Sequence, residues 1–186
     1  MAGEKPGHVL LTGAPGCGKT TIIMGVLRLL RESRRPVFGF WTQEILQGGA
    51  RRGFALETVS GNKGTLASVE WSGPPRVGRY GVKPEVMDRL VVPEIERAIK
   101  EADSTSGVVL VLDEIGKMEL FSKAFQQAVI SAFDSKAQVL ATIIARPHPF
   151  ADTLKKRRDV TLITVTPENR GGLSGQIAEL LQVGSS

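Results

Sequence analysis

The segment GAPGCGKT, Gly13 to Thr20, sets two glycines five residues apart, ahead of a lysine and a hydroxyl residue. Each residue type in that spacing can serve phosphate oxygens. Glycine lets the backbone curl with no Cβ in the way. The curl aims successive N–H groups, from Gly16 through Thr21, at one concave spot. A helix starting there adds its positive end. Lys19 supplies a point charge for the terminal phosphates, and the Thr20 hydroxyl is a hard oxygen ligand suited to Mg2+. Cys17 fills a free position as a small residue. The expected nucleotide contacts are therefore Gly13, Ala14, Pro15, Gly16, Cys17, Gly18, Lys19, Thr20 and Thr21.

A second group of chemically able residues follows in VVLVLDE, an apolar run ending in two acids. Taken alone it reads as a strand end with solvated carboxylates. Downstream of a phosphate cradle it reads differently. Asp113 is then the residue that holds Mg2+, usually through water. Glu114 orients and deprotonates an attacking water. Transition-state charge still needs a cation, and Arg51, Arg52, Arg79, Arg146 and Arg170 fall in expected loops. Arg146, just past an apolar strand, is the first choice, so Lys19, Glu114 and Arg146 form the expected catalytic set. Lys117 either reaches a phosphate or pairs with Glu119. In TPENR, Asn169 can donate and accept and Arg170 can stack on a base. Glu44 is a candidate near the phosphates or the water. Trp41 and Trp71 read as packing, and His148 as a loop residue.

These groups must be carried by a scaffold. HVLLT (His8–Thr12) is a short apolar strand, and the residues from about Lys19 to Ser33 show helical spacing at Ile22, Val26 and Leu29. VFGFWT, GVVLVLDE, Gln138–Ile144 and TLITV supply four more strands. The continuous apolar runs are of the kind buried on both faces of a parallel sheet. Helical patterns alternate with them, which argues for a doubly wound α/β fold with helices on both faces. The acid pair points to the ATPase branch of P-loop proteins, in which one strand lies between the cradle strand and the acidic strand. The expected order of the main parallel strands is 5-1-4-3-2. Residues 43–71, with Gly-rich turns between short runs, are expected to be an inserted antiparallel β-hairpin region within one domain spanning 1–186. Pro93 is expected to break or restart the helix that Pro84 begins.

Bulk properties narrow the partners. The net charge of +5 fits either a polyanionic ligand or a surface kept soluble by lysine and arginine. No apolar run approaches the roughly 18 residues of a membrane span, so no membrane partner is expected. One cysteine allows no internal disulfide, which fits a reducing, cytoplasmic setting. RESRR and KKRR lack interleaved aromatics, and aromatic content is only 5%, which argues against single-strand stacking on nucleic acid. Nothing demands more than a monomer.

GAPGCGKTT, GFWTQE, LDEIGKMELFSKAF and VTPENR together resemble the thermostable nucleoside-triphosphatase family of small P-loop enzymes, and the resemblance covers nearly the whole chain. DEIGKMELFS, Asp113–Ser122, is its most specific block. The resemblance implies Mg2+-dependent hydrolysis of nucleoside triphosphates to diphosphate and phosphate, slow turnover and broad base preference. Two alternatives share the same cradle: a nucleotide or small-molecule kinase, and an RNA-dependent ATPase.

Overall fold

In this computed structural model, residues 7–183 are described; residues 1–6 and 184–186 of the expected domain lie outside that range. A nine-stranded mixed sheet runs through the molecule in the order β5-β6-β4-β3-β2-β7-β8-β1-β9. Its parallel part comprises β1 (His8–Thr12), β2 (Val37–Gln47), β7 (Val109–Ile115), β8 (Gln138–Ile143) and β9 (Val160–Thr164). Counted among themselves in chain order, these five lie fifth, first, fourth, third, second.

The apolar runs bury both faces because side chains alternate across a strand. Leu110 and Leu112 of β7 join one core with Leu10, Phe40, Phe125 and Phe133. Val109 and Val111 join the opposite core with Leu11, Ile23, Leu27 and Leu30. Helices α2 (Val92–Ser104), α3 (Lys123–Asp134) and α4 (Pro149–Lys155) contribute to the first core, and α1 (Lys19–Glu32) and α5 (Leu173–Val183) to the second.

The antiparallel part is larger than the 43–71 expectation and is not detached from the sheet. β2 itself runs on to Gln47 and pairs there with β3 (Ala50–Thr58), followed by β4 (Lys63–Ser68), β5 (Arg76–Val77) and β6 (Tyr80–Val82). Polar, exposed residues such as Gln43 and Glu44 continue β2 because β3 supplies hydrogen-bond partners that the apolar pattern does not reveal. Pro93 restarts the helix rather than breaking the chain's path: a π-helical turn at Met87–Val91 leads directly into α2, and the proline sits in the first turn of α2, where a missing N–H is tolerated. Among the described residues no helix is long and apolar enough to cross a membrane.

Candidate active site

Because β1, β7, β8 and β9 run parallel, the loops after them open on one edge of the sheet. That edge brings residues 13–20, 113–119, 144–148 and 165–170 together. The cradle glycines are required by conformation: Gly13, Gly16 and Gly18 have φ of 144°, 77° and 107°, which L side chains rarely adopt. A Cβ on Gly13 would also lie 2.6 Å from the Val165 carbonyl oxygen. Val165 N–H in turn donates to Thr12 O at 2.7 Å, so the end of β9 is fastened to the cradle. Gly18 caps α1, and Lys19 and Thr20 open it. The Lys19 ammonium donates to Gly13 O at 3.0 Å and Ala14 O at 3.1 Å. Cys17 is buried, and its N–H donates to Ala14 O at 3.2 Å.

β7 delivers the acids. Asp113 is 1% exposed and lies opposite Trp41 of β2. Thr142 of β8 donates its hydroxyl to Asp113 Oδ1 at 2.6 Å, and the Thr20 hydroxyl lies close enough to favour the charge on the same carboxyl group. Asp113 Oδ2 is buried with no protein partner. The two metal-site candidates, Thr20 and Asp113, are thus side by side, with one carboxylate oxygen uncommitted. Burial pushes the Asp113 carboxyl pKa up, while Thr142, Thr20 and the Lys19 charge pull it back. The Asp113–Glu114 peptide is cis. Glu114 is also pushed up, first by burial and then by the Asp113 charge, with Lys19 opposing.

A third carboxyl group was not singled out as a site residue from the sequence. Glu119 is 6% exposed and accepts a hydrogen bond from Gly116 N–H at 3.2 Å. Burial, and then the neighbouring Glu114 charge, push its pKa up to about 8, so it holds a proton at neutral pH. Glu114 and Glu119 converge over Gly116. A Cβ there would lie 2.7 Å from Glu114 Oε1 and 2.9 Å from Glu119 Oε2. The available signal was the glycine itself, set between acids at 114 and 119. Among the described residues Lys117 makes no ion pair with Glu119, whose carboxyl group is turned to Gly116 N–H.

Lys19, Glu114, Lys117, Glu119 and Arg146 share one cavity of about 480 Å3 with Gly13 and Pro15. A separate cavity of about 250 Å3 is lined by Gly18, Thr21, Ile22, Arg170 and Ser174. The cradle therefore lies between two spaces that share no lining residue. Asn169 lines neither. Its Nδ2 donates to Thr164 O at 2.8 Å and its Oδ1 accepts from Thr166 N–H at 2.9 Å, so it braces the loop that presents Arg170. Glu44 pairs with Arg51 at 2.5 Å, behind the cavity-lining Phe54, and Arg52 with Glu70 at 3.5 Å; none of the four lines the cavity. Trp41 packs in the α1-side core. The basic stretches are partly structural: Arg157 binds Asp134 and Asp159, Lys155 binds Asp152, and Arg35 donates to Gly107 O at 2.7 Å.

Comparison with known proteins agrees with this geometry. A family model described as NTPase matches residues 8–178. The nucleoside-triphosphatase THEP1 of Thermotoga sp. strain RQ2 is 38% identical over 174 residues, spanning 94% of this chain and 95% of that protein. The human cancer-related nucleoside-triphosphatase is 40% identical over 187 aligned residues, spanning 94% and 96%. The crystal structure of THEP1 from the hyperthermophile Aquifex aeolicus superposes with a TM-score of 0.84 at 37% identity, covering 94% of this chain and 99% of that one.

Proposed function

The chain belongs to the NTPase family, and from that premise we propose that it hydrolyses nucleoside 5'-triphosphates to diphosphate and phosphate, with Mg2+ and with little regard to the base. The observation that carries this reading is the shared cavity of Lys19 and Glu114, next to the buried Asp113 and the exposed Thr20 beside it. The cradle N–H groups and Lys19 bind the β and γ phosphates. Glu114 accepts a proton from the attacking water and holds it in line with the γ-phosphorus. Arg146, on the same cavity, offsets charge on the equatorial oxygens. Glu119, protonated, restrains Glu114 from the far side.

Thr20 and Asp113 offer hard oxygens, one of them unpartnered, and this donor set fits Mg2+. When bound, the metal would supply positive charge that lowers the cost of charge on the phosphates. The base lies on the Arg170 side of the cradle. Stacking on a guanidinium is blind to the hydrogen-bonding edge, which accounts for relaxed base choice. The engagement of Arg35, Lys155 and Arg157 within the fold fits a chain whose turnover needs no nucleic acid.

Phosphate release from ATP, GTP, CTP and UTP, without any added acceptor, tests the reading. Activity should appear with all four, vanish with chelator and ignore added RNA. Glu114→Gln should keep nucleotide binding and lose ~10²–10⁴ in rate. Retained turnover in that variant would move the base elsewhere.

A further inference from the structure

The cavity beside Glu114 is far larger than hydrolysis requires. The space of about 480 Å3 is lined by Gly13 and Lys19 at its inner end, where the γ-phosphoryl group and one water belong, and by Phe54 and Val77 at the other, and its size is within the range of small-molecule sites. Its outer wall is also of the wrong chemistry for water. Phe54, Val77, Met118 and Ile143 present apolar surface, and the first two come from β3 and β5 of the antiparallel part. No phosphate or metal gains from such a wall. Phe54 is held in place by an edge-on contact with Tyr80, with ring centroids 5.2 Å apart. At the mouth stand two cations, Lys117 and Arg146. Neither makes an ion pair among the described residues. One suffices for the γ-phosphoryl charge, which leaves the other for an anion on a second ligand.

We infer that this cavity is an acceptor site, and that the chain transfers the γ-phosphoryl group to the hydroxyl of a small organic anion with an aromatic or otherwise apolar body. The inference rests on the cradle and Glu114 acting as described above. The step is the hydrolytic one with an alcohol in place of water. The acceptor oxygen forms a bond to the γ-phosphorus, and the bond to the β,γ-bridging oxygen breaks with its electron pair kept by the diphosphate. Glu114 takes the hydroxyl proton. The products are a nucleoside diphosphate and a phosphomonoester.

The test uses 4-(hydroxymethyl)benzoate, which joins a primary alcohol, an aromatic ring and a carboxylate. The full chain is supplied with γ-labelled ATP, Mg2+ and millimolar probe. Label should appear in an acid-stable phosphomonoester, saturating with probe. The probe 4-methylbenzoate, which lacks the hydroxyl, should suppress ester formation competitively. Val77→Trp should fill the outer space and lower ester formation, and Phe54→Ala should remove its ring wall and lower ester formation by about fivefold, the worth of one aromatic contact. Phosphate release to water should persist in both. Normal phosphate release with no labelled ester from the unmodified chain overturns the acceptor site. So does ester formation that neither saturates nor responds to 4-methylbenzoate. Absence of phosphate release to water overturns the hydrolase reading instead.

Discussion

Gly116→Ala probes the carboxyl arrangement without touching the cradle. The φ of Gly116 is not in the left-handed range, so alanine is tolerated by the backbone itself. The added Cβ, however, would meet Glu114 Oε1 at 2.7 Å and Glu119 Oε2 at 2.9 Å, where ordinary contact begins at 3.4 Å. Glu114 must therefore retreat by about 0.7 Å and Glu119 by about 0.5 Å. Glu119 is buried and has little room to yield, so the shift falls mainly on Glu114, which faces the cavity. Misplacing a reacting group by ~1 Å costs ~10²-fold in rate, so a retreat of this size costs roughly 25-fold, about 2 kcal/mol of barrier. Steady-state phosphate release gives kcat, equilibrium binding of a non-hydrolysable triphosphate gives Kd, and thermal unfolding reports integrity. The expected result is a kcat lowered ~10–50-fold with Kd and Tm close to those of the unmodified chain. A Gly116→Ala chain that is folded and turns over within about twofold of normal would refute the role of Glu114 placement.

Lys19→Ala should abolish tight triphosphate binding, read by calorimetry, because it removes the one side-chain charge inside the cradle. Thr142→Val should leave Asp113 Oδ1 without its 2.6 Å partner, lowering stability by ~1–3 kcal/mol in urea titrations run with chelator. Glu119 carries a pH signature. Its folded pKa of about 8 lies above the ordinary value of 4.5. Between those values the folded chain holds a proton that the unfolded chain has released, so stability falls as pH rises from about 5 through 8. Glu119→Gln has no such proton and should show a flatter decline, measured by urea titration in chelator at each pH. Parallel declines in the two proteins would remove the assignment.

What the sequence makes legible is what is local in it. The cradle declares itself because its glycines, Lys19 and Thr20 are consecutive and each answers one need of a phosphate. Asp113 and Glu114 are legible because they fall near the end of a seven-residue strand, VLVLDEI, that is otherwise apolar. The rest depends on distance. The length of β2 is set by β3, not by its own polar residues. The π turn before Pro93 is a tertiary adjustment that no helical period encodes. Glu119 looks like a surface acid until β7 and the following 3-10 turn fold it beneath Glu114. Asn169 and Arg170 are adjacent and equally able to bind a base, yet the backbone of one tight loop absorbs Asn169 and leaves Arg170 facing the cradle.

β2 has a consequence beyond architecture. Midway along it Trp41 pairs with Asp113, and three residues later its Glu44 pairs with Phe54 of the apolar wall. Acid and wall are thus stitched to the same continuous strand, leaving no hinge between them. The loops at residues 116–118 and 144–148 contribute the rest of the rim through Lys117, Met118, Ala145 and Arg146. Hydrogen exchange should find the amides of Trp41 and Leu56 opening with a common free energy near that of global unfolding, so the chamber keeps its shape until the molecule melts.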